Sequence, residues 1–215
     1  MSEPAWLARR RELIERYRQE NQTARKGQIV FTGSSLMEMF PVQEWAQELG
    51  PDAPVVYNRG VSGFRTDDML PVLDAMAIGP APRRVFINIG TNDLSDASVT
   101  IDALISRYDE ILTRIETALP GVEIILMAYY PINCDAADES MKACLRIRTN
   151  ERIREANQAV EALARRHHQR YMDFNAPLTD DQGSLRAEYT IEGMHIRPEG
   201  YRAIWPAVAK AILAP

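Results

Sequence analysis

Cysteine and histidine are scarce in this chain, and no long apolar segment is present. The 215 residues include two cysteines, Cys134 and Cys144, and three histidines. Two thiols without a nearby histidine or a second cysteine pair lack the usual four ligands of a zinc site, so we predict no metal cofactor. We interpret both as reduced thiols, with a local disulfide as the alternative if the protein is exported.

The absence of long apolar runs and of a basic excess excludes further classes of protein. No run approaches about 18 consecutive apolar residues, so we expect no membrane span. The first residues lack the apolar core of a signal peptide, so we expect a cytoplasmic protein. The formal net charge of −5 argues against nucleic acid as a partner. We interpret the basic clusters at 9–11 and 165–168 as solvated helix faces or ends.

Short apolar runs alternate with helical patterns along the chain. The runs predict five buried strands, at 28–32, 55–57, 85–89, 122–130 and 171–174. The helical patterns cover about 4–24, 66–77, 99–118, 144–168 and 198–213. This alternation is typical of a parallel sheet covered on both faces. We therefore predict an α/β fold, a three-layer α/β/α sandwich with a five-stranded parallel sheet, and a single domain over 1–215 that includes the N-terminal helix.

Polar and glycine-rich segments follow the first three predicted strands, and a fourth such segment precedes the last helix. They are Gly33-Ser34-Ser35, Gly60-Val61-Ser62-Gly63, Gly90-Thr91-Asn92-Asp93 and Glu192-Gly193-Met194-His195. Each alone has an ordinary explanation, as a helix cap, a turn or a loop histidine. Together they supply a nucleophile, two amide donors and a base, which are the groups that ester hydrolysis needs.

These four segments resemble the motifs of the SGNH hydrolases, also called the GDSL-like lipase/acylhydrolase family. The resemblance covers about residues 28–213 and implies the flavodoxin-like strand order 2-1-3-4-5. It implies that Ser35 is the nucleophile and His195 the base. It also implies an oxyanion hole formed by the backbone N–H groups of Ser35 and Gly63 and the side-chain amide of Asn92. Neither a metal nor an organic cofactor is implied.

Two positions depart from the family pattern. The family has Gly-Asp-Ser where this chain has Gly33-Ser34-Ser35, and Ser34 stays open as an alternative nucleophile. The family's triad acid is an aspartate three residues before the histidine, whereas this chain has Glu192. A Ser-His-Glu triad is chemically workable. The alternative is that the glutamate points away and a backbone carbonyl orients the histidine.

The substrate is the least defined part of this hypothesis. The family includes carbohydrate acetyl esterases, lysophospholipases and thioesterases. The absence of a long apolar lid favours a short acyl chain, such as acetyl, on a carbohydrate or another small alcohol. Arg65 and Tyr129 are candidate substrate contacts, with a surface arginine and a packed tyrosine as the alternatives.

Non-enzymatic functions also stay open at this point. A flavodoxin-like binding protein without catalytic activity would explain the glycine turns and the fold. The only partner expected of an esterase is a small-molecule ester. The charged first helix packs either on its own domain or on a second copy, so a homo-oligomer is an open alternative.

Overall fold

Five parallel strands form the central sheet of the computed structural model, which describes residues 3–215. The strands are β1 (Ile29–Gly33), β2 (Val56–Gly60), β3 (Arg84–Asn88), β4 (Glu123–Met127) and β5 (Arg170–Met172). Their order in the sheet is β2-β1-β3-β4-β5. This topology confirms the predicted fold class and strand order. Gly33 pairs with Gly60 on one side and with Asn88 on the other, so the first three strands end side by side.

Helices cover both faces of the sheet, because successive strand residues point to opposite faces and the apolar runs of β1, β3 and β4 are buried on both. One core cluster joins the sheet to α1 (Ala5–Thr23), α5 (Ile101–Ala118) and α7 (Asn150–Arg166). The other joins it to α2 (Ser35–Glu38), α3 (Val42–Trp45) and α8 (Pro198–Leu213). Two short helices, α4 (Thr66–Met69) and α6 (Glu139–Leu145), complete the set of α-helices in residues 3–215.

Two of the predicted helices are interrupted. The pattern over 66–77 forms α4, then a 3-10 turn and a turn of π-helix that reaches Ile78. Pro71 lies at the first break, where it cannot donate the hydrogen bond of a continuing helix. The pattern over 144–168 is divided between α6 and α7, because Thr149 caps α7 by accepting a hydrogen bond from the backbone of Arg152.

Two further predictions concern the membrane and the cysteines. Over the part of the chain that the structure describes, no helix combines the length and the apolar character needed to cross a membrane. Cys134 and Cys144 are free thiols, so the disulfide considered above is not formed in this structure.

Candidate active site

Ser35 lies at the carboxyl edge of the sheet, where β1 turns directly into α2. Its side chain is almost fully buried, with 8% of the residue exposed. The turn depends on Gly33, because a Cβ at this position would lie 1.9 Å from the carbonyl oxygen of Asn88. The neighbouring Ser34 hydroxyl is buried and has no hydrogen-bond partner among residues 3–215. Ser35, and not Ser34, therefore faces the other polar groups of this edge.

A hydrogen-bonded series connects Ser35, His195 and Glu192. His195 Nε2 lies 3.0 Å from Ser35 Oγ, and His195 Nδ1 lies 2.6 Å from Glu192 Oε1. The backbone N–H of His195 also donates to Glu192 Oε1, at 3.1 Å. A side-chain carboxylate therefore faces the imidazole, and the glutamate does not point away from it. This is the geometry that a nucleophile, a base and an orienting acid require.

The segment that carries His195 is a tight turn. Thr190 pairs with Ile196 in an isolated bridge, and the backbone N–H of Ile191 donates to the carbonyl of His195. Thr190 Oγ1 accepts a hydrogen bond from the backbone of Gly193, whose φ of 97° suits glycine. The turn holds Glu192 and His195 in a fixed relation to each other.

Asn92 follows β3 and has a defined amide orientation. Its Nδ2 donates to the carbonyl oxygen of Phe64 at 2.9 Å, and its Oδ1 accepts from Arg148 Nη2 at 2.8 Å. Because an arginine side chain can only donate, the oxygen of the amide must face Arg148. One hydrogen of Nδ2 is used by Phe64, and the second is available to a ligand.

Gly63 lies in the loop after β2, which packs against α2 and α1. The N–H of Ser62 donates to Glu38 Oε2 at 2.6 Å, and the carbonyl of Ser62 accepts from Arg10 Nε at 2.9 Å. Gly63 has a φ of 75°, and a Cβ there would lie 2.0 Å from Arg10 Nη2. Tyr17 also donates to the carbonyl of Gly60, at 2.8 Å. The first helix thus holds this loop against α2, which begins with Ser35.

Asp93 organises the structure behind Asn92. Its side chain is fully buried and accepts hydrogen bonds from both the backbone and the hydroxyl of Thr66. Arg107 forms an ion pair with the same carboxylate at 2.9 Å. These contacts tie the segment after β3 to the start of α4, next to the Gly63 loop.

Arg148 also contacts Asn92, although no sequence pattern points to it. It is 2% exposed, and besides Asn92 it contacts Ser95 Oγ at 2.8 Å and the sulfur of Met194. Burial lowers the pKa of Arg148 to about 10, so the side chain stays charged at neutral pH. It belongs to no recognisable motif, and only the tertiary structure brings it to the site.

The two predicted substrate contacts have different outcomes. Tyr129 is fully buried, and its hydroxyl donates to the carbonyl of Ile89 at 2.7 Å. The prediction that its side chain contacts substrate is therefore wrong, because that side chain fills the core. The side chain of Arg65 is 41% exposed and pairs with Asp96 at 3.1 Å. Its role toward substrate stays a prediction.

The fold and this site define a hydrolase of the α/β/α sandwich type. A model of the GDSL-like Lipase/Acylhydrolase family matches residues 31–203, and the chain belongs to that family. This assignment confirms the resemblance seen in the four sequence segments.

Solved structures extend the likeness over nearly the whole chain. A Streptococcus pneumonia protein, provisionally described as a platelet activating factor, is 30% identical, with a TM-score of 0.84 and coverage of 96% of this chain and 94% of that one. A GDSL-like lipase from Bacteroides thetaiotaomicron is 21% identical, with a TM-score of 0.75. The match covers 93% of this chain and 96% of that one. The acetylxylan esterase Axe2 from Geobacillus stearothermophilus is 16% identical, with a TM-score of 0.69 and coverage of 89% and 96%. No curated protein matches the chain significantly.

Proposed function

We propose that this protein is a serine esterase that hydrolyses carboxylic esters with short acyl chains through an acyl-enzyme intermediate. The observation that carries the proposal is the unbroken hydrogen-bonded series from Ser35 through His195 to Glu192. A histidine bonded on one side to a hydroxyl and on the other to a carboxylate is poised to accept the proton of that hydroxyl.

The first half of the proposed reaction forms the acyl-enzyme. His195 Nε2 takes the proton as Ser35 Oγ attacks the ester carbonyl, and Glu192 stabilises the resulting imidazolium. The negative charge of the tetrahedral intermediate falls on the former carbonyl oxygen. The N–H groups of Ser35 and Gly63 and the Nδ2–H of Asn92 are the proposed donors to it. The carbon–oxygen bond to the alcohol then breaks, and His195 returns its proton to the leaving oxygen.

The second half releases the acid. Water attacks the acyl carbon as His195 removes one of its protons, and a second oxyanion forms in the same place. The bond to Ser35 Oγ breaks, and Ser35 regains its proton from His195. The products are a carboxylic acid and a regenerated enzyme, so this sequence of steps needs neither a metal nor an organic cofactor.

An acetyl or similarly short ester of a carbohydrate or other small alcohol is the proposed substrate class. The similarity to an acetylxylan esterase supports this choice at the level of the fold. A longer-chain acylhydrolase is the second candidate. It is favoured by exposed apolar side chains on two segments of the site, Met39 after α2 and Ile191 beside Glu192, which are 39% and 46% exposed.

Hydrolysis of p-nitrophenyl acetate, butyrate and octanoate by the wild type and Ser35→Ala tests both levels of the proposal. We expect Ser35→Ala to lower kcat by about 10⁴-fold or more, because the nucleophile is lost. Ser34→Ala is the matched control, since the Ser34 hydroxyl is buried without a partner, and it should retain activity. Rates that fall with chain length support the short-chain substrate, and rates that rise support the second candidate.

Two results would contradict the proposal. Near-normal turnover by purified Ser35→Ala would exclude Ser35 as the nucleophile. No hydrolysis of any ester, together with no labelling of the wild type by a serine-directed phosphonate, would favour a binding protein without catalytic activity.

A further inference from the structure

Besides the N–H of Ser35, the proposed oxyanion donors are the amide groups of Gly63 and Asn92. In each of these two amides, the oxygen accepts a hydrogen bond from an arginine. The carbonyl of Ser62 and the N–H of Gly63 belong to one planar peptide group. Arg10 Nε donates to that carbonyl oxygen at 2.9 Å. Arg10 therefore contacts the oxygen of the same peptide group whose N–H, that of Gly63, is the proposed donor.

Asn92 repeats this arrangement with a side-chain amide. Arg148 Nη2 donates to Asn92 Oδ1 at 2.8 Å, and Nδ2 of the same amide is the proposed donor. The two arginines come from distant parts of the chain, Arg10 from α1 and Arg148 from the segment between α6 and α7. Nothing in the local sequence couples them, so the similarity of the two contacts arises from the tertiary structure.

A cation on an amide oxygen has two effects on the N–H of that amide. Because the amide is planar, a fixed oxygen also fixes the direction of the N–H. Because hydrogen bonds in series polarise one another, a charged donor on the oxygen strengthens the N–H as a donor. Both effects increase the stabilisation of an oxyanion without any contact between the arginine and the substrate.

We propose that Arg10 and Arg148 are positioning residues that orient and polarise the Gly63 and Asn92 donors of the oxyanion hole. The inference rests on the esterase function proposed above. It makes the first helix part of the active site, although α1 lies outside residues 31–203 that match the family model.

The surroundings of both arginines preserve their charge and position. Arg10 lies between two aromatic rings, with Cζ 4.7 Å from the centre of the Trp6 ring and 5.4 Å from that of Phe64. Arg148 is buried and directs Nε to the neutral hydroxyl of Ser95. Within residues 3–215, neither arginine forms an ion pair with a carboxylate that would offset its effect on the amide.

Two substitutions of Arg10 separate the charge from the hydrogen bond. In Arg10→Gln, the side-chain nitrogen stands at the same place along the chain as the arginine Nε, so a neutral donor to Ser62 is retained. Arg10→Leu removes both the donor and the charge. With p-nitrophenyl acetate we expect kcat to fall roughly 3- to 10-fold in Arg10→Gln and roughly 30- to 100-fold in Arg10→Leu, with little change in KM.

A second measurement reports on the oxyanion directly. A methyl trifluoromethyl ketone forms a tetrahedral adduct with a catalytic serine, and its oxygen carries the negative charge. Its inhibition constant should rise in proportion to the loss in kcat, while the thermal midpoint stays close to that of the wild type. Arg11→Gln is the matched control on the same helix, because Arg11 is exposed and pairs only with Glu3 among the described residues.

The outcomes distinguish the inference from the function on which it rests. If Ser35-dependent hydrolysis is present and Arg10→Leu matches the wild type in kcat and inhibition constant, the inference is wrong and the esterase function stands. It is also wrong if KM and the thermal midpoint change while the inhibition constant does not. If wild type and Ser35→Ala are equally inactive, the esterase function fails and the inference falls with it. Arg148→Lys keeps the buried charge, but its shorter side chain loses the directed hydrogen bond to Asn92 Oδ1. It should therefore lower kcat and weaken the inhibitor in the same proportion.

Discussion

The carboxylate of Glu192 accepts two hydrogen bonds from a single residue, and this explains how a glutamate occupies a position where the family has aspartate. Oε1 faces both the backbone N–H and Nδ1 of His195, at 3.1 and 2.6 Å. The extra methylene is accommodated because the side chain folds back over its own turn. Glu192 therefore holds His195 both through the ring nitrogen Nδ1 and through the backbone N–H.

Replacing Glu192 tests this role. In Glu192→Gln the geometry is preserved but the negative charge is lost, so the imidazolium formed during attack is no longer stabilised. We expect kcat to fall by about 10²- to 10⁴-fold, by analogy with the loss of the acid in Ser-His-Asp triads. The measurement is the steady-state hydrolysis of p-nitrophenyl acetate at neutral pH.

Glu188→Gln is the matched control for this variant, because Glu188 is an exposed glutamate of the same region that pairs with Arg186. It should retain the wild-type kcat. Equal activity of Glu192→Gln and Glu188→Gln would show that the carboxylate of Glu192 has no part in the reaction.

The sequence was sufficient to predict that His195 lies near Ser35, because each lies in a short motif, one at a strand end and the other before the last helix. It was not sufficient for Arg10 and Arg148. Their contacts are with a backbone carbonyl and a distant amide, and such contacts leave no pattern of residue spacing. Tyr129 was misassigned for the opposite reason, since the end of a strand does not reveal which face a side chain takes.

Helix boundaries were predictable where a local signal marks them. Helix α8 has the predicted bounds, and Pro198 at its first position suits a helix start. The break between α6 and α7 was missed, because apolar periodicity continues through it and the capping role of Thr149 depends on its backbone conformation.

His167 connects the end of α7 to α5 through a pair of carboxylates. It lies just after α7, with Nε2 at 2.8 Å from Asp109 and Nδ1 at 2.9 Å from Glu116, both on α5. Burial alone would lower the pKa of His167. The hydrogen bonds and charges of Asp109 and Glu116 outweigh burial, and the pKa is raised above its ordinary value. The protonated form is therefore the one that holds the helices together.

The stability of the protein should depend on pH through this contact. Since folding raises the pKa of His167, its contribution is fully present below the unfolded value of about 6.5 and is lost as the pH rises through the folded pKa. The difference in thermal midpoint between wild type and His167→Gln should therefore be largest near pH 5.5 and shrink toward pH 9. His168→Asn, at the exposed neighbouring histidine, should show no such trend. A constant difference for His167→Gln would contradict the assignment.

The candidate site and the buried Arg84 side chain lie at opposite ends of the strands. The candidate site lies at the carboxyl edge, as is general for open α/β sheets. At the amino edge, Arg84 begins β3 and is 1% exposed. Its Nη1 donates to the carbonyl of Ala211 at 2.9 Å, its Nη2 donates to that of Pro215 at 2.8 Å, and its Nε bonds to Glu123. One buried cation thus fastens the end of α8 to the sheet, about a strand's length from the site.

Arg84→Met should therefore destabilise the protein without impairing its chemistry. The substitution leaves buried carbonyls without a donor, and we expect the free energy of unfolding to fall by about 3 kcal/mol. The expected loss is at the lower end of the range for buried ion pairs because Glu123 keeps a second partner, Arg170. In a chain of this size the thermal midpoint should drop by roughly 6–12 °C. Arg83→Met, at the exposed neighbouring arginine, should leave the midpoint unchanged. Both variants should keep kcat within about twofold of the wild type at 25 °C, because the length of β3, roughly 13 Å, separates them from the carboxyl edge of the sheet, where Ser35 lies. A large loss of kcat in folded Arg84→Met would show that the two edges of the sheet are coupled.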